Sequence, residues 1–402
     1  MLITTHDTRE NKTRMLTSLS IANYRSIRDL TLPLGSLNII TGENGSGKSN
    51  LYKALRLLAE TAKGGVINSL AEEGGLASTY WAGPENITSG MRRGDTPIEG
   101  LQRNQTLRLK LGFASDSFGY AITLGLPTPT RSAFSRDPEI KCEAIFNGAY
   151  YRPASSLVER RGNVIKVRPG RQWQVVSQHV PVYGSMFDQL ADPISAPEVF
   201  HVREMIRNWR FYDHFRTDKD APARQIQLGT RSPVLHHDGR DLAAAIQTIV
   251  EIGDPQALAN AIDDAFPGSR LEVISHNDGR FSLAFYQKGL LRPLSGAELS
   301  DGTLRFILWV AALLTPRPPE LMVLNEPETS LHPDLLPALA RLILQASQRS
   351  QIWVISHANR LIHTLVDHPD GQSLELIKEL GQTKIKGQGM LDSPAWHWPS
   401  EG

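Results

Sequence analysis

Eight residues constrain this chain more than any others. Residues 42–49 read GENGSGKS and fit the pattern G-x-x-x-x-G-K-[ST] in full. A short apolar run, residues 37–41, precedes them, and leucines at helical spacing follow them at Leu51, Leu55 and Leu58. A strand, a glycine-rich loop and a helix in this order predict a phosphate-binding loop, because glycine lets backbone N–H groups turn inward where a Cβ would intrude.

The polar positions of this loop each have a predicted role. Lys48 supplies a positive charge for β- and γ-phosphates, and the Ser49 hydroxyl is a ligand for Mg²⁺. The helix begins near Gly47 and points its positive N-terminal end at the same place. The predicted ATP contacts are therefore Gly42, Glu43, Asn44, Gly45, Ser46, Gly47, Lys48, Ser49 and Asn50.

A second apolar strand is predicted at residues 321–328, which read LMVLNEPE. P-loop ATPases need such a strand, ending in carboxylates that hold metal-bound water and polarise the attacking water. Glu326 stands where a general base would act; the alternative is that it only ends a strand. Asn325 stands where the pattern normally has Asp, and as a metal ligand it brings a hydrogen-bonding amide but no charge. Because Asn325 is uncharged, we expect either weaker metal binding or slower ATP hydrolysis, and both alternatives stay open.

Five ordered elements resemble a known group of proteins. They are the opening NYRSI at residues 23–27, the glycine-rich loop, a late LSxG-type signature, NEPE followed by TSLHP, and a strand ending in ISH. Together they resemble the ABC-type ATPase heads of the structural-maintenance-of-chromosomes (SMC), RecF and overcoming-lysogenization-defect (OLD) nuclease group, most of all its short AAA family ATPases. The resemblance covers about residues 15–65 and 225–365. It implies an α/β P-loop head, with a mixed sheet flanked by helices and an antiparallel β-rich insert.

The resemblance also implies a signature serine that acts on the γ-phosphate of a second subunit. Two stretches fit, LSGAE at residues 294–298 and LSDGT at residues 299–303. We favour the second, with Ser300 and Gly302, because it directly abuts the apolar helix leading to the 321–328 strand. A serine hydroxyl and a glycine N–H at a helix N-terminus bind anions; the alternative is an ordinary capped helix.

Other roles follow from the same resemblance. His357, at the end of QIWVISH, matches the switch histidine that contacts γ-phosphate, which makes Lys48, Glu326 and His357 the predicted catalytic residues. Residues 329–332 (TSLH) take the place of the dimer-contacting D-loop. Arg25 matches a phosphate-contacting arginine of some relatives. We do not assign a residue to the glutamine of the Q-loop, another element of these ATPase heads.

The middle of the chain has a different pattern, rich in Pro and Gly. Strand-like pieces at residues 106–113, 120–126, 139–146, 164–167 and 173–178 predict an antiparallel sheet, and residues 199–215 look helical. We therefore expect an N-terminal extension (1–14), two halves of an ATPase head (15–65 and 229–390), a strand-rich insert between them (66–228) and a tail (391–402).

Composition limits where in the cell the protein is expected to work. The chain has 402 residues, with 43 Lys and Arg against 42 Asp and Glu. No run approaches the roughly 18 apolar residues of a membrane span, so no membrane insertion is expected. The first residues lack an apolar signal core, and the single cysteine, Cys142, excludes an internal disulfide. These features predict a cytoplasmic protein.

Some chemistries are not expected. Fewer than about fifty residues follow Ile355, too few for the metal-binding Toprim domain of OLD-like nucleases, and no heptads predict a long coiled coil. His236, His237 and Asp238 are interpreted as a solvated loop rather than a metal site. Two basic stretches, residues 152–171 and 203–224, with aromatic neighbours, are either solvated faces or DNA contacts.

The leading hypothesis is an ATP-dependent switch. Two heads would close head-to-tail around ATP and Mg²⁺ as a homodimer or higher even oligomer, and hydrolysis would reopen them. The cycle would gate DNA or a separate effector protein, a nuclease being one candidate; the resemblance implies DNA repair or anti-phage defence. The alternatives are the nucleotide-binding subunit of a membrane transporter and a non-hydrolysing scaffold that binds ATP.

Overall fold

The computed structural model describes residues 15–85, 88–93, 95, 106–129, 131–190, 193–389 and 392–401. The predicted N-terminal extension, residues 1–14, lies outside the described residues. In the described part the strands are β1 (Leu16–Tyr24), β2 (Ile27–Pro33), β3 (Leu37–Gly42), β4 (Leu109–Ser115), β5 (Gly119–Gly125), β6 (Glu139–Phe146), β7 (Ser156–Arg161), β8 (Val164–Val167), β9 (Gln174–Ser177), β10 (Arg210–Tyr212), β11 (Gln227–Leu228), β12 (Arg270–Ser275), β13 (Arg280–Tyr286), β14 (Leu294–Ser295), β15 (Leu321–Asn325), β16 (Gln351–Ile355), β17 (Gly371–Glu379) and β18 (Gln382–Ile385).

The α-helices of the same residues are α1 (Lys48–Glu60), α2 (Val66–Glu72), α3 (Leu76–Thr79), α4 (Ser89–Arg93), α5 (Met186–Gln189), α6 (Pro197–Arg207), α7 (Leu242–Ile252), α8 (Pro255–Ala265), α9 (Asp301–Leu313), α10 (Leu336–Ser347) and α11 (Asn359–Val366). Within the described ranges, none of them has the length and apolar character that crossing a bilayer requires.

A six-stranded sheet forms the centre, in the order β10-β15-β16-β3-β17-β18. Its first five strands are parallel, and β18 returns antiparallel beside β17. Strands β3, β15 and β16 are almost wholly buried and apolar, as expected for parallel strands covered on both faces. Because parallel strands end at one edge, the segments that follow β3, β15 and β16 all leave the sheet on the same side.

An eight-stranded antiparallel sheet lies beside the centre, in the order β2-β1-β4-β5-β6-β7-β8-β9. Strands β4–β9, all from the predicted insert, continue the sheet that β1 and β2 begin. Helix α1 buries Leu51, Leu55 and Leu58 in a core shared by both sheets, together with Ile21 of β1 and Ile40 of β3. The mixed α/β head with a β-rich insert is thereby confirmed as the fold.

A second core covers the other face of the central sheet. Helices α7, α8, α9 and α10 contribute to it, and Phe306 and Trp309 of α9 are among its largest buried side chains. A smaller sheet, with β13 between β12 and β11 and with β14 also paired to β13, packs at its border. This layer holds α9, whose N-terminus carries the favoured signature residues.

The segment predicted as one helix over residues 199–215 is a helix followed by a strand. Helix α6 ends at Arg207, and Arg210–Tyr212 forms β10 against β15. Aromatic residues such as Phe211 and Tyr212 favour strands, and pairing with β15 satisfies their backbone groups. The change of element brings residue 213 to the carboxyl edge of the central sheet.

The predicted C-terminal tail packs on the eight-stranded sheet over its described residues, 392–401. The Trp396 ring lies 6.0 Å from the Phe146 ring, and a Cβ at Gly112 would meet the Trp396 indole at 2.6 Å. Glu401 pairs with Arg108 at 2.8 Å. Trp396 is partly buried against the strand that carries Gly112, and this packing joins the C-terminal segment to the sheet.

Candidate functional site

The glycine-rich loop joins β3 to α1 with three glycines in left-handed backbone regions. The φ angles are 143° at Gly42, 82° at Gly45 and 112° at Gly47, which L-residues with a Cβ rarely adopt. A Cβ at Gly47 would lie 2.0 Å from the Thr383 hydroxyl oxygen. Lys48 Nζ donates to the carbonyl oxygens of Gly42 at 2.6 Å and Glu43 at 3.1 Å. The lysine charge therefore lies within the turn of the loop.

A chain of hydrogen bonds holds this loop from outside. Asn50 Nδ2 donates to Ser26 Oγ at 2.7 Å, and Ser26 Oγ lies 2.7 Å from Thr383 Oγ1, which donates to the Ser46 carbonyl at 2.9 Å. Thr383 belongs to β18, 337 residues from Ser46 in sequence. The hairpin of β17 and β18 thus supports the loop, and Asn50, a predicted ATP contact, is engaged in that support.

The end of β15 brings two predicted residues to the same edge. Asn325 Nδ2 donates to Asp213 Oδ1 at 3.4 Å. Glu326 follows with a φ of 50°, and its backbone N–H donates to the Ile355 carbonyl at 2.8 Å. A left-handed backbone at a residue with a Cβ costs about 1–2 kcal/mol, so the turn that aims the Glu326 carboxylate is maintained by its surroundings.

His357 lies across from these carboxylates. Its Nδ1 is 3.8 Å from Glu326 Oε1 and 3.6 Å from Glu328 Oε1. The buried Glu328 carboxylate accepts hydrogen bonds from the Ser356 hydroxyl at 2.6 Å and from the His357 backbone N–H at 3.1 Å. Glu328 therefore ties the loop after β15 to the loop after β16 and sets the position of the histidine.

The favoured signature stretch is the N-terminus of α9. Ser300 is the N-cap, and its Oγ accepts from the Thr303 backbone N–H at 3.1 Å. Arg224 holds the segment that leads to this cap. Its guanidinium donates to the carbonyl oxygens of Gly296, Ala297 and Leu299 and to the Asp301 carboxylate. Ser295, from the other candidate, lies in β14 and bonds to Glu298 instead.

A buried arginine on α9 links the signature helix to the predicted D-loop. Arg305 donates to the Thr329 carbonyl at 2.7 Å, the Phe215 carbonyl at 3.0 Å and Thr217 Oγ1 at 3.2 Å. Burial lowers the pKa of Arg305 below its usual value. A cation in this position makes the D-loop, the signature helix and the segment after β10 one connected unit.

Arg25 lies in a separate cluster. Its φ is 50°, and its guanidinium pairs with Glu73 at 2.7 Å and lies 5.7 Å from the centre of the Tyr24 ring. Burial, followed by the hydrogen bond to Glu73, raises the pKa of Tyr24. The predicted phosphate-contacting arginine is thus engaged by an acidic residue that follows α2.

The other candidate groups are differently placed. The ligand atoms of His236, His237 and Asp238 lie within 4.8 Å of one another, the one such group found among the described residues. His236 already uses both ring nitrogens, with Asp238 at 2.7 Å and Arg240 at 2.9 Å. Desolvation lowers the pKa of His237. The interpretation of these residues as a solvated loop rather than a metal site stays a prediction.

The two basic stretches are only partly exposed. Arg160 is fully buried in an ion pair with Glu143 at 2.9 Å, and Arg224 is held by the signature loop. The buried aromatic side chains cannot stack on bases; they are Tyr151, Trp209 and Tyr212. The exposed basic residues of the first stretch remain, namely Arg152, Arg161, Lys166 and Arg171. Alternation along β7 and β8 places Arg161 and Lys166 on the face opposite to the buried Arg160 and Ile165.

Three residues of the site were missed by the sequence analysis. Asp213 was hidden because its strand was interpreted as helix, although the aromatic residues before it favour β-structure. Glu328 lies inside the quoted NEPE motif but had no assigned role. Thr383 has no local signal, since its contact with the glycine-rich loop depends on sheet order.

The structure brings Lys48, Asn325, Glu326 and His357 to the carboxyl edge of one sheet, while Ser300 and Gly302 lie at the start of α9. The oxygen groups there suit Mg²⁺, which prefers hydroxyl, amide and carboxylate oxygens; they are Ser49, Asn325, Asp213 and Glu326. An α/β fold with a glycine-rich loop and acidic residues grouped at the carboxyl edge of its parallel sheet defines the class of ABC-type P-loop ATPase heads.

The family follows from comparison. Residues 37–362 match the family described as "AAA domain, putative AbiEii toxin, Type IV TA system", and the chain belongs to that family. Among curated proteins it is similar to the DNA replication and repair protein RecF of Idiomarina loihiensis, 31% identical over 90 residues. It is also similar to the OLD nuclease of Thermus scotoductus, 43% identical over 44 residues.

These matches are partial. The RecF match covers 22% of this chain and 25% of RecF, and the OLD match covers 11% and 8%, so the chain spans a quarter or less of either relative. Among solved structures, an SMC head bound to the C-winged helix domain of ScpA has a TM-score of 0.50 at 13% identity, covering 94% of this chain and 99% of that one. The expected SMC, RecF and OLD type of ATPase head is confirmed.

Proposed function

We propose that this chain is an Mg²⁺-dependent ATP-hydrolysing switch that dimerises head-to-tail around ATP and gates a partner effector or DNA. The observation that carries the proposal is the joint position of Lys48, Glu326 and His357 at one sheet edge. A loop that binds phosphate, an acid that can accept a proton from water and a histidine that can reach the γ-phosphate are the groups that phosphoryl transfer to water requires.

Each protein group at this edge has its own part in the reaction. The N–H groups of the glycine-rich loop and the Lys48 ammonium bind the phosphates, and Ser49 with Asn325 would hold Mg²⁺, which neutralises developing phosphate charge. Glu326 accepts the proton of the attacking water. His357, positioned by Glu328, donates to a γ-phosphate oxygen.

Dimerisation is proposed from the location of the signature residues. Ser300 and Gly302 form the start of α9 beside Ser330 of the D-loop, since a Cβ at Gly302 would meet the Ser330 carbonyl at 3.4 Å. Ser300 Oγ accepts a hydrogen bond from the Thr303 backbone N–H, and Arg224 holds the residues on either side of Ser300, namely Leu299 and Asp301. Such a helix N-terminus is suited to a γ-phosphate brought by a second copy.

Turnover and dimerisation are tested together. The purified full chain is assayed for phosphate release and, with ATP, for its mass in solution. We expect Lys48→Ala to abolish ATP binding, and Glu326→Gln to retain binding, lose about 10²–10⁴ in rate and accumulate as a dimer. Lys53→Ala is the matched control, an exposed lysine of the same helix. Equal turnover by Glu326→Gln and the parent would contradict the base assignment.

The non-hydrolysing scaffold remains the second candidate, because Asn325 removes a charge from the site. It predicts ATP-dependent dimerisation without phosphate release by the parent chain. The roles in DNA repair or anti-phage defence rest on the RecF and OLD similarities and are tested by the effector that copurifies with the Glu326→Gln dimer.

DNA contact is proposed at the exposed basic residues of β7 and β8. Phosphate contacts by Lys and Arg make affinity fall steeply with salt. Fluorescence anisotropy with duplex DNA at two salt concentrations tests this, with Arg161→Ala and Lys166→Ala combined as the variant. Binding without salt dependence, or unchanged binding by the variant, would remove this surface.

A further inference from the structure

A carboxylate lies directly beside Asn325. Strands β10 and β15 are parallel, and Tyr212 pairs with Leu324, so Asp213 and Asn325 are neighbours at the next position of each strand. The 3.4 Å hydrogen bond from Asn325 Nδ2 to Asp213 Oδ1 agrees with this register. The negative charge that β15 lacks at Asn325 is therefore present on the adjacent strand.

Helix α1 reaches the same carboxylate. Arg56 pairs with Asp213 Oδ2 at 2.6 Å and also donates to the Tyr52 hydroxyl at 3.3 Å. Burial is the main cause that raises the pKa of Tyr52. Ser49, Tyr52 and Arg56 are three and four residues apart, so they share one face of α1. Asp213 thus faces the side of the helix that carries the Ser49 hydroxyl.

We infer that Asp213 supplies, toward hydrated Mg²⁺, the carboxylate charge that is missing from the end of β15. Mg²⁺ usually keeps several waters and binds through one or two carboxylates together with substrate phosphates. Of the nearby acids, Glu328 is buried and engaged by Ser356 and His357, and Glu326 is assigned to the attacking water. The inference rests on the proposed ATPase function.

The ion pair with Arg56 does not prevent this role. The side chains of Arg56 and Asp213 are 49% and 36% exposed, and solvated ion pairs of this kind contribute little to stability. Little free energy therefore holds the carboxylate to Arg56 when a divalent cation competes for it. The half-exposed position also leaves room for the water molecules that Mg²⁺ retains.

The test measures metal-dependent nucleotide binding rather than turnover. A fluorescent ATP analogue is titrated into full-length Glu326→Gln protein, in EDTA and in Mg²⁺, and the ratio of the two affinities is the readout. We expect Asp213→Asn to reduce the gain from Mg²⁺ by about 10- to 100-fold with little change in EDTA. Free Mn²⁺, followed by electron paramagnetic resonance in the presence of ATP, gives the same comparison for the metal directly.

Two further variants identify the cause. The double variant Asp213→Asn with Asn325→Asp returns a carboxylate to β15. We expect it to restore most of the affinity gained from Mg²⁺. If Asp213→Asn simply failed to fold, this second substitution would not restore that gain. Arg56→Gln removes only the ion-pair partner and should leave the gain intact. Asp218→Asn is the matched control, an exposed aspartate paired with Arg216.

The outcomes separate the inference from the proposed function. An Mg²⁺ gain unchanged in Asp213→Asn, or lost equally in Arg56→Gln, overturns the role of Asp213 and leaves the ATPase proposal standing. Failure of the Glu326→Gln protein itself to bind the ATP analogue in either buffer overturns the ATPase proposal instead. Loss in Asp213→Asn with recovery in the double variant establishes the inference.

Discussion

Glu328 Oε1 accepts a hydrogen bond from the backbone N–H of His357 at 3.1 Å, across 29 residues of sequence. The same oxygen accepts from the Ser356 hydroxyl at 2.6 Å. The acid of the loop after β15 thereby fixes the start of the loop after β16. The two acids of NEPE have different environments, since the Glu326 side chain is 48% exposed and the Glu328 side chain 7%.

This difference predicts separate effects for the two acids. Glu328→Ala leaves a buried hydroxyl and a backbone N–H without their acceptor, so we expect a loss of about 1–3 kcal/mol in the free energy of unfolding. Glu326→Ala should change stability by less than about 0.5 kcal/mol while losing most turnover. Urea unfolding and phosphate release, measured on both variants, check this. Equal stability of the two variants would show that Glu328 does not hold the histidine loop.

Gly47 is expected to be irreplaceable for a steric reason. Gly47→Ala adds a Cβ 2.0 Å from Thr383 Oγ1 at a φ of 112° and so displaces the support of the glycine-rich loop. Gly148→Ala is the matched control, because Gly148 has a φ of 94° and nothing within 4 Å of its added Cβ. We expect Gly148→Ala to cost only the backbone strain of about 1–2 kcal/mol and Gly47→Ala clearly more. Thermal unfolding of both proteins measures the difference.

The buried Arg160–Glu143 pair predicts that replacing Arg160 lowers the free energy of unfolding far more than replacing the adjacent Arg161. Arg160 also donates to the Gly162, Gly184 and Pro181 carbonyls, and both charges are fully buried. Arg160→Ala leaves Glu143 buried without its cation, which costs about 3–5 kcal/mol. Arg161→Ala, on the exposed side of the same strand, should stay within about 0.5 kcal/mol. Similar unfolding midpoints for the two variants would contradict the burial assigned to the pair.

Arg224 predicts a defect in dimerisation without a defect in ATP binding. Lysine cannot reproduce the donors that Arg224 directs at the Asp301 carboxylate and at five carbonyl oxygens, three of them just before Ser300, so Arg224→Lys should loosen the approach to Ser300. In the Glu326→Gln background we expect about tenfold weaker ATP-induced dimerisation, a difference of about 1.4 kcal/mol. Arg216→Lys is the control, because Arg216 forms an exposed ion pair with Asp218. A matching loss of ATP affinity in the monomer would argue against a role confined to the signature loop.

Cys142 gives a prediction about chemical reactivity. Burial raises the pKa of its thiol to about 12, so at pH 8 the group is protonated and the nucleophilic thiolate is scarce. We expect almost no reaction with a thiol reagent at pH 8 in the folded protein and full reaction in denaturant. Rapid labelling of folded protein would show that β6 opens readily.

Much of the architecture was predictable because its signals are local. The strands around GENGSGKS and LMVLNEPE have apolar runs that only burial on both faces explains, and α1, α7, α8, α9 and α10 have helical spacing. The apolar helix that follows Ser300 was predictable in the same way, and Ser300 is the N-cap of α9, while its signature role stays a prediction. These features depend on neighbours within about one or two turns of chain.

Local patterns were enough to identify the candidate phosphate-binding segment and the candidate acids, because backbone freedom at glycine and the spacing of apolar residues are properties of adjacent residues. Tertiary structure alone decided that Asp213 lies beside Asn325, that Thr383 closes on Gly47 and that Arg160 is buried while Arg161 is not. Each of these depends on the order and register of strands distant in sequence, and no local pattern specifies which strands become neighbours.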